Sequence, residues 1–222
     1  MIGEPSGPFE AVLFDLDGVC VDSEPVQVEA WRRAVEASGG QFDPALIHSY
    51  WGRPIAATAA GLAQHLQVDT SRLEAARDRA FEALTETGVP IMPSLPEAIR
   101  RVQEHGLRSG LVTSGGRDYA ASVLAALGRD HGVSFEVVVT RDDVENPKPD
   151  PEPYLLGARL LQVDPAACVV LEDAPAGVAS AKAAGMTVVA IPTEYTRGLD
   201  LSQADSVQPD LVGGVEWLLD RA

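Results

Sequence analysis

Five short apolar runs of strand type alternate with helical patterns along this chain, and the alternation is broken once, between the first run and the second. The runs occupy residues 11–15, 107–113, 135–139, 167–171 and 187–191. Strands that alternate with helices build a parallel sheet, because each crossover must carry the chain back to the same end of the sheet. From Pro25 to Gly88 no strand pattern occurs. Val28, Trp31 and Val35 recur at three and four and predict a helix over Glu24–Ser38, closed by Gly39-Gly40. Asp43-Pro44 is a helix start, and the stripes Ile55, Ala59, Leu62, Leu66 and Leu73, Ala76, Ala80, Leu84 predict two more helices. The prolines of Val89-Pro90-Ile91-Met92-Pro93 then mark an extended connector.

Beyond the connector, Ser94-Leu95-Pro96-Glu97 fits a capping box for a helix running to His105-Gly106. Further helices are predicted over Arg117–Leu127 with Gly128 as the stop, over Glu152–Leu161, over Ala174–Ala184 and over Val215–Leu219. Pro192 to Pro209 reads as loop. The expected fold is α/β: a Rossmann-like parallel-sheet core from residues 1–24 and 92–222, with an α-helical cap domain, 25–91, inserted after the first strand. Both connections leave from the sheet's carboxyl edge, where open α/β sheets bind ligands, so the inserted helices should roof the site.

If the sheet forms, the residues that follow each strand converge. The first strand delivers Asp15 and Asp17 of Asp15-Leu16-Asp17-Gly18; the second leads into Thr113-Ser114-Gly115-Gly116-Arg117, a hydroxyl and a flexible turn with free N–H groups that suit an anion. After the third comes Lys148, held in extended chain by Pro147, Pro149 and Pro151, and after the fourth Glu172-Asp173. Taken one at a time these residues suit plain structural duties, as helix caps or solvated charges. Together they place three or four carboxylates at one edge, repelling by about 1 kcal/mol per pair at ~4 Å in water and about 4 kcal/mol at an effective dielectric near 20, so a cation belongs there. All-oxygen ligands beside Lys148 favour Mg²⁺.

Charge narrows the partners. With 33 acidic and 17 basic side chains the net charge is −16, which disfavours nucleic acid and anionic membrane and obliges any phosphorylated substrate to be drawn in by local cations and N–H groups. Mean hydropathy is +0.01, no apolar run approaches the ~20 residues of a membrane span, and the start Met1-Ile2-Gly3-Glu4-Pro5 lacks a signal pattern, so a cytoplasmic protein is expected. Cys20 and Cys168 are too few for a disulfide framework, and the four histidines show no metal-ligand spacing.

In order along nearly the whole chain, Asp15-Leu16-Asp17-Gly18-Val19, Thr113-Ser114-Gly115, Lys148-Pro149 and Glu172-Asp173 resemble the four motifs of the haloacid dehalogenase superfamily, close to its phosphatase and β-phosphoglucomutase-like branch with a small helical cap. The resemblance implies Asp15 as nucleophile, Asp17 as acid/base, Thr113 as phosphate ligand, Lys148 as charge neutraliser and Asp173, helped by Glu172, as metal carboxylate, with Asp15 and Asp17 completing the metal set. It implies Mg²⁺-dependent hydrolysis of a small phosphate monoester, such as a sugar phosphate, through an aspartyl phosphate; Asp17 argues against dehalogenation. Phosphoryl transfer between sugar phosphates is the alternative, weakened because Gln27 stands where the mutases carry a histidine and cannot titrate as that side chain could. Arg53, in Trp51-Gly52-Arg53, resembles the family's specificity loop, and Ser114, Gly115, Gln27 and Arg117 join it as candidate substrate contacts. A catalytically silent binding module is the reading from another class, and a monomer is expected.

Overall fold

The computed structural model describes residues 9–222; the N-terminal pattern Met1 to Pro5 lies outside them. Six parallel strands stand in the order β3-β2-β1-β4-β5-β6: β1 Ala11–Phe14, β2 Arg108–Val112, β3 Val137–Val139, β4 Cys168–Glu172, β5 Thr187–Ala190 and β6 Ser206–Val207. Phe14 pairs with Leu111 on one side and Leu171 on the other, so β1 is central and wholly buried. The chain first steps outward from β1 to β2 and β3, then returns to β4 on the opposite side. The crevice beyond the carboxyl end of β1 is therefore the switch point at which an open sheet accepts a ligand.

Alternate residues of each strand feed two cores, since strand side chains point to opposite faces in turn. Val12, Phe14, Leu111, Val169 and Leu171 pack beneath α5 (Leu95–Glu104), α6 (Arg117–His131) and α9 (Leu211–Leu219). Leu13, Val112, Val170 and Val188 pack beneath α7 (Glu152–Leu161) and α8 (Pro175–Ala183). Between β1 and α5 lie four further helices: α1 Glu24–Ala37, α2 Pro44–His48, α3 Ile55–Leu66 and α4 Thr70–Thr85. They close on a separate cluster of Trp31, Val35, Ile47, Leu62 and Leu73. The two linkers run side by side, with Met92 N–H donating to the Cys20 carbonyl at 2.8 Å and Asp22 N–H to the Pro90 carbonyl at 2.9 Å.

Four local expectations change. The α4 helix buries Leu73, Arg77, Phe81 and Thr85, a face rotated from the Leu73, Ala76, Ala80, Leu84 stripe; Arg77 is 3% exposed, its guanidinium lying over the Phe81 ring and bonded to Gln27 and Asp78. Helix α6 runs through Gly128 and stops where Gly132 takes φ +68°, the left-handed conformation that releases the chain. Ser94 makes no capping bond, since its own backbone is already helical (φ −82°, ψ −13°), and Glu97 pairs with Arg100 instead. The stretch read as loop contains β6, whose two residues are too few for periodicity but pair with Val189 and Ala190 of β5. Among the described residues no helix is long and apolar enough to cross a membrane.

Leu62 is fully buried in the helical insertion, so Leu62→Ala is expected to cost about 2–5 kcal/mol, read as a lower urea midpoint.

Candidate active site

The β1 strand ends by handing its apolar run to Asp15, whose N–H donates to the Leu171 carbonyl at 3.0 Å and so ties it to β4. The loop that follows is tight. Gly18 sits at φ +84°, and a Cβ there would lie 2.5 Å from Asp173 Oδ2, so only glycine lets the two acidic loops approach. Inside this loop the Cys20 thiol donates to the Asp15 carbonyl at 3.0 Å; burial pushes its pKa up, so it is an inert packing and anchoring group.

Lys148, 7% exposed, lies at the centre. Its ammonium reaches Asp15 Oδ1 at 2.6 Å, Glu172 Oε1 at 2.8 Å, the Tyr154 hydroxyl at 2.9 Å and the Val112 carbonyl at 3.0 Å. The Tyr154 hydroxyl donates in turn to Glu172 Oε1 at 2.8 Å, while Glu172 Oε2 accepts from the N–H groups of Asp173 at 3.0 Å and Ala174 at 3.2 Å. Beneath this carboxylate is Gly177, where a Cβ would come within 1.6 Å of Oε1. Burial works against the charge on Lys148, yet Asp15 and Glu172 hold its pKa above the ordinary lysine value. Burial also raises the pKa of Asp15 and of Asp173, with Glu172 adding repulsion to both. One buried cation thus serves several carboxylates, and the site is short of positive charge.

Carboxylate oxygens of Asp15, Glu172 and Asp173 lie within 4.8 Å of one another. An all-oxygen donor set of this kind fits a hard divalent cation such as Mg²⁺. Because Glu172 is committed to Lys148, Tyr154 and two N–H groups, Asp15 and Asp173 are the carboxylates left to offer oxygens, and Glu172 serves by holding the lysine. The carboxylate of Asp17, expected among the metal ligands, is not in this cluster. Its Oδ1 accepts from the Tyr119 hydroxyl at 2.8 Å. Burial raises the Asp17 pKa, opposed by that hydrogen bond, and burial together with Asp17's charge keeps Tyr119 protonated.

On the β2 side Thr113 is buried, and its Oγ1 accepts from Gly115 N–H at 2.9 Å, closing the turn that carries Ser114 and Gly115 into the cleft. Arg117 also lines the cleft; its guanidinium is paired with Asp143 at 2.6 Å, and its N–H donates to Asp142, so it braces the loop after β3 as well.

The helical insertion covers this edge and leaves a cleft of about 600 Å³. Gln27 faces it and accepts from Arg77, whose other amino group meets Asp78 at 3.0 Å and whose guanidinium lies 4.6 Å from the Phe81 ring centroid. Arg77 Nε is buried without a partner among the described residues. Arg53 also lines the cleft, exposed, with its guanidinium carbon 5.1 Å from the centre of the Tyr50 ring. Insertion and core meet through Phe81 on Tyr119, ring centroids 5.1 Å apart, through Trp51 on Tyr195 at 5.0 Å, and through Thr193 donating to Glu24. Four residues of this site had no counterpart in the sequence reading: Tyr119, Tyr154, Arg77 and Glu24. Each sits in a helix where an aromatic or charged side chain reads as core or solvated surface; for Arg77 the four-residue spacing from Leu73 to Phe81 is the one signal that pointed inward.

A buried carboxylate gripped by a lysine, next to a cluster fit for a divalent cation, suits an enzyme that neutralises and transfers a phosphoryl group. The sequence profile of the haloacid dehalogenase-like hydrolases matches residues 12–191, and the chain belongs to that family. It is 36% identical over 214 residues to a validoxylamine A 7'-phosphate phosphatase of Streptomyces hygroscopicus subsp. limoneus, spanning 94% of this chain and 97% of the relative. To the fructose-1-phosphate phosphatase YqaB of Escherichia coli (strain K12) it is 34% identical over 182 residues, 82% of this chain and 95% of the other. Among solved structures, CbbY from Rhodobacter sphaeroides in complex with phosphate matches with a TM-score of 0.76 and 26% identity, covering 91% of this chain and 95% of that one. The chain is a phosphoric monoester hydrolase of this family.

Glu24 gives the protein a pH dependence. It is 7% exposed, and burial lifts its pKa from the usual 4.5 to about 7. The folded chain then holds this proton more tightly than the unfolded one, so Glu24's favourable contribution is complete below about pH 4.5 and is lost as pH rises through about 7. Urea midpoints of Glu24→Gln are expected to fall less than wild type between pH 5 and pH 8, within the window set by that shift.

Proposed function

We propose that this enzyme is a Mg²⁺-dependent phosphatase that hydrolyses a small phosphate monoester of sugar type through a phosphoryl group carried on Asp15. The observation that supports this most is the grip of Lys148 on both Asp15 and Glu172, 2.6 and 2.8 Å, in a cleft lined also by α1, α3 and α4, which we take to belong to a cap of residues 25–91. Asp15 attacks phosphorus in line, forming an O–P bond as the ester P–O bond breaks, which splits a difficult displacement into two easier ones. Lys148 offsets charge on the transferring group and holds the nucleophile in place. Thr113 shapes the turn whose Ser114 and Gly115 face the phosphoryl oxygens. Asp15 and Asp173 would hold the cation, which when bound supplies charge stabilisation and orientation for the phosphoryl group. Asp17 protonates the leaving oxygen, then takes a proton from the water that releases phosphate.

The leaving group faces the cap. Trp31, Trp51 and Phe81 offer flat apolar faces, and Gln27, Thr58 and Arg77 offer hydrogen bonds, a mixture that suits a ring bearing hydroxyl groups. The named activities of the relatives, on fructose 1-phosphate and validoxylamine A 7'-phosphate, point the same way. Water is the acceptor in this reading. Gln27 engages Arg77 and has no proton to exchange, so the mutase alternative lacks the group it needs at that position. We take the enzyme to act as a cytoplasmic monomer on a soluble metabolite.

With Mg²⁺ and a panel of hexose, pentose and cyclitol phosphates the enzyme is expected to release inorganic phosphate, and to stop when the metal is chelated. Isomer formation without release would favour the mutase, and turnover of no ester a binding module. Asp15→Asn is expected to abolish release while leaving the chain folded, because the amide oxygen can still accept from Lys148 and Glu172 remains as its counter-charge.

A further inference from the structure

Tyr119 stands in the first turn of α6, immediately after the anion-binding turn, and three contacts define its place. Its hydroxyl donates to Asp17 Oδ1 at 2.8 Å. Its ring meets Phe81 of the cap edge-on, centroids 5.1 Å apart and planes at 72°. Gly115 lies against the same ring, for a Cβ on that glycine would sit 2.9 Å from Tyr119 Cδ1. The side chain is thus seated between the phosphate turn and the cap, with its polar end on the one carboxylate of the opening motif that is outside the cation cluster.

We propose that Tyr119 is a positioning residue for proton transfer, orienting the Asp17 carboxyl group through its hydroxyl and coupling that orientation to the cap through Phe81. The inference rests on the reading of Asp17 as the proton donor. With Oδ1 held by the tyrosine, the acidic proton resides on Oδ2. As the ester bond breaks, its electron pair stays on the leaving oxygen, the proton passes from Oδ2 to that oxygen, and Asp17 becomes a carboxylate. A hydrogen bond to a carboxylate is stronger than one to a neutral carboxyl, so the Tyr119 hydroxyl stabilises the state in which the proton has left more than the state before. The hydroxyl should therefore matter in proportion to how badly the leaving oxygen needs a proton. Because Phe81 belongs to α4, the full arrangement exists only with the cap against the core.

Two esters of similar size separate this role from simple packing: benzyl phosphate, which expels a poorly stabilised alkoxide, and p-nitrophenyl phosphate, which expels a stable phenolate. Measured as kcat/KM, which reports steps up to alcohol release, Tyr119→Phe is expected to lose about tenfold on benzyl phosphate and less than about twofold on p-nitrophenyl phosphate. Activity on the second ester also shows that the variant is folded. Phe81→Leu should show the same selectivity with a smaller loss. Asp17→Asn should lose at least about tenfold more on benzyl phosphate than on the aryl ester, and adding Tyr119→Phe to it should change neither rate by more than about a further twofold. Equal losses on both esters in Tyr119→Phe, or no loss on either, would overturn the positioning role; an unselective Phe81→Leu would overturn its coupling to the cap. If Asp17→Asn itself is unselective, the proton-donor reading falls and the inference with it, whereas a selective Asp17→Asn beside an unselective Tyr119→Phe removes the inference alone.

Discussion

The ammonium of Lys148 is buried among Asp15, Glu172, Tyr154 and the Val112 carbonyl, and the arrangement around it is intelligible as what that burial demands. A charge taken out of water loses several kcal/mol of solvation unless its geometry and hydrogen bonds are close to ideal. Here one carboxylate comes from the end of β1, another from the end of β4, a hydroxyl from α7 and a carbonyl from β2. Four elements must reach register before the lysine is satisfied. The absence of a Cβ at Gly177 makes room for Glu172, and the two N–H groups that open the next loop hold the carboxylate still. Orientation achieved this way needs no rearrangement when charge develops on a bound phosphoryl group, which is where preorganised electrostatics has most effect.

The same constraint explains how an acidic protein can handle an acidic substrate. At a net charge of −16 the long-range field repels phosphate esters, so attraction must be short-ranged and local; on the proposed reading it would come from Lys148, the turn at Ser114-Gly115, and a cation held by Asp15 and Asp173. The cap supplies shape and a second character. Its aromatic faces and its buried arginine line the same cleft as the carboxylates and, on the proposed reading, would meet the alcohol part of the ester.

Much of this arrangement is legible in the sequence. The five longer strands show as apolar runs, and the rule that ligands bind at the carboxyl edge is enough to gather Asp15, Asp17, Thr113, Lys148 and Glu172-Asp173. What escaped depends on approach between distant segments. Tyr119 meets Asp17 from 102 residues away, and Arg77 meets Gln27 from 50. Nothing in either local pattern distinguishes such a side chain from core or surface. The α4 stripe differs because a charged side chain does not read as a buried position, although the Arg77 guanidinium lies over the Trp31 and Phe81 rings. The resemblance groups Asp17 and Glu172 with the metal ligands; Glu172 lies in the carboxylate cluster with Lys148 on its Oε1, whereas Asp17 lies outside it with its Oδ1 on Tyr119.

The central claim is that Asp15 carries the phosphoryl group, and acid quenching during turnover followed by peptide mass spectrometry tests it most directly. The account requires the mass of one phosphoryl group on the peptide that contains Asp15, formed as fast as the alcohol appears and lost as phosphate appears. A phosphoryl group on a different residue would contradict it. So would an unmodified Asp15 peptide in samples quenched during a burst of alcohol release.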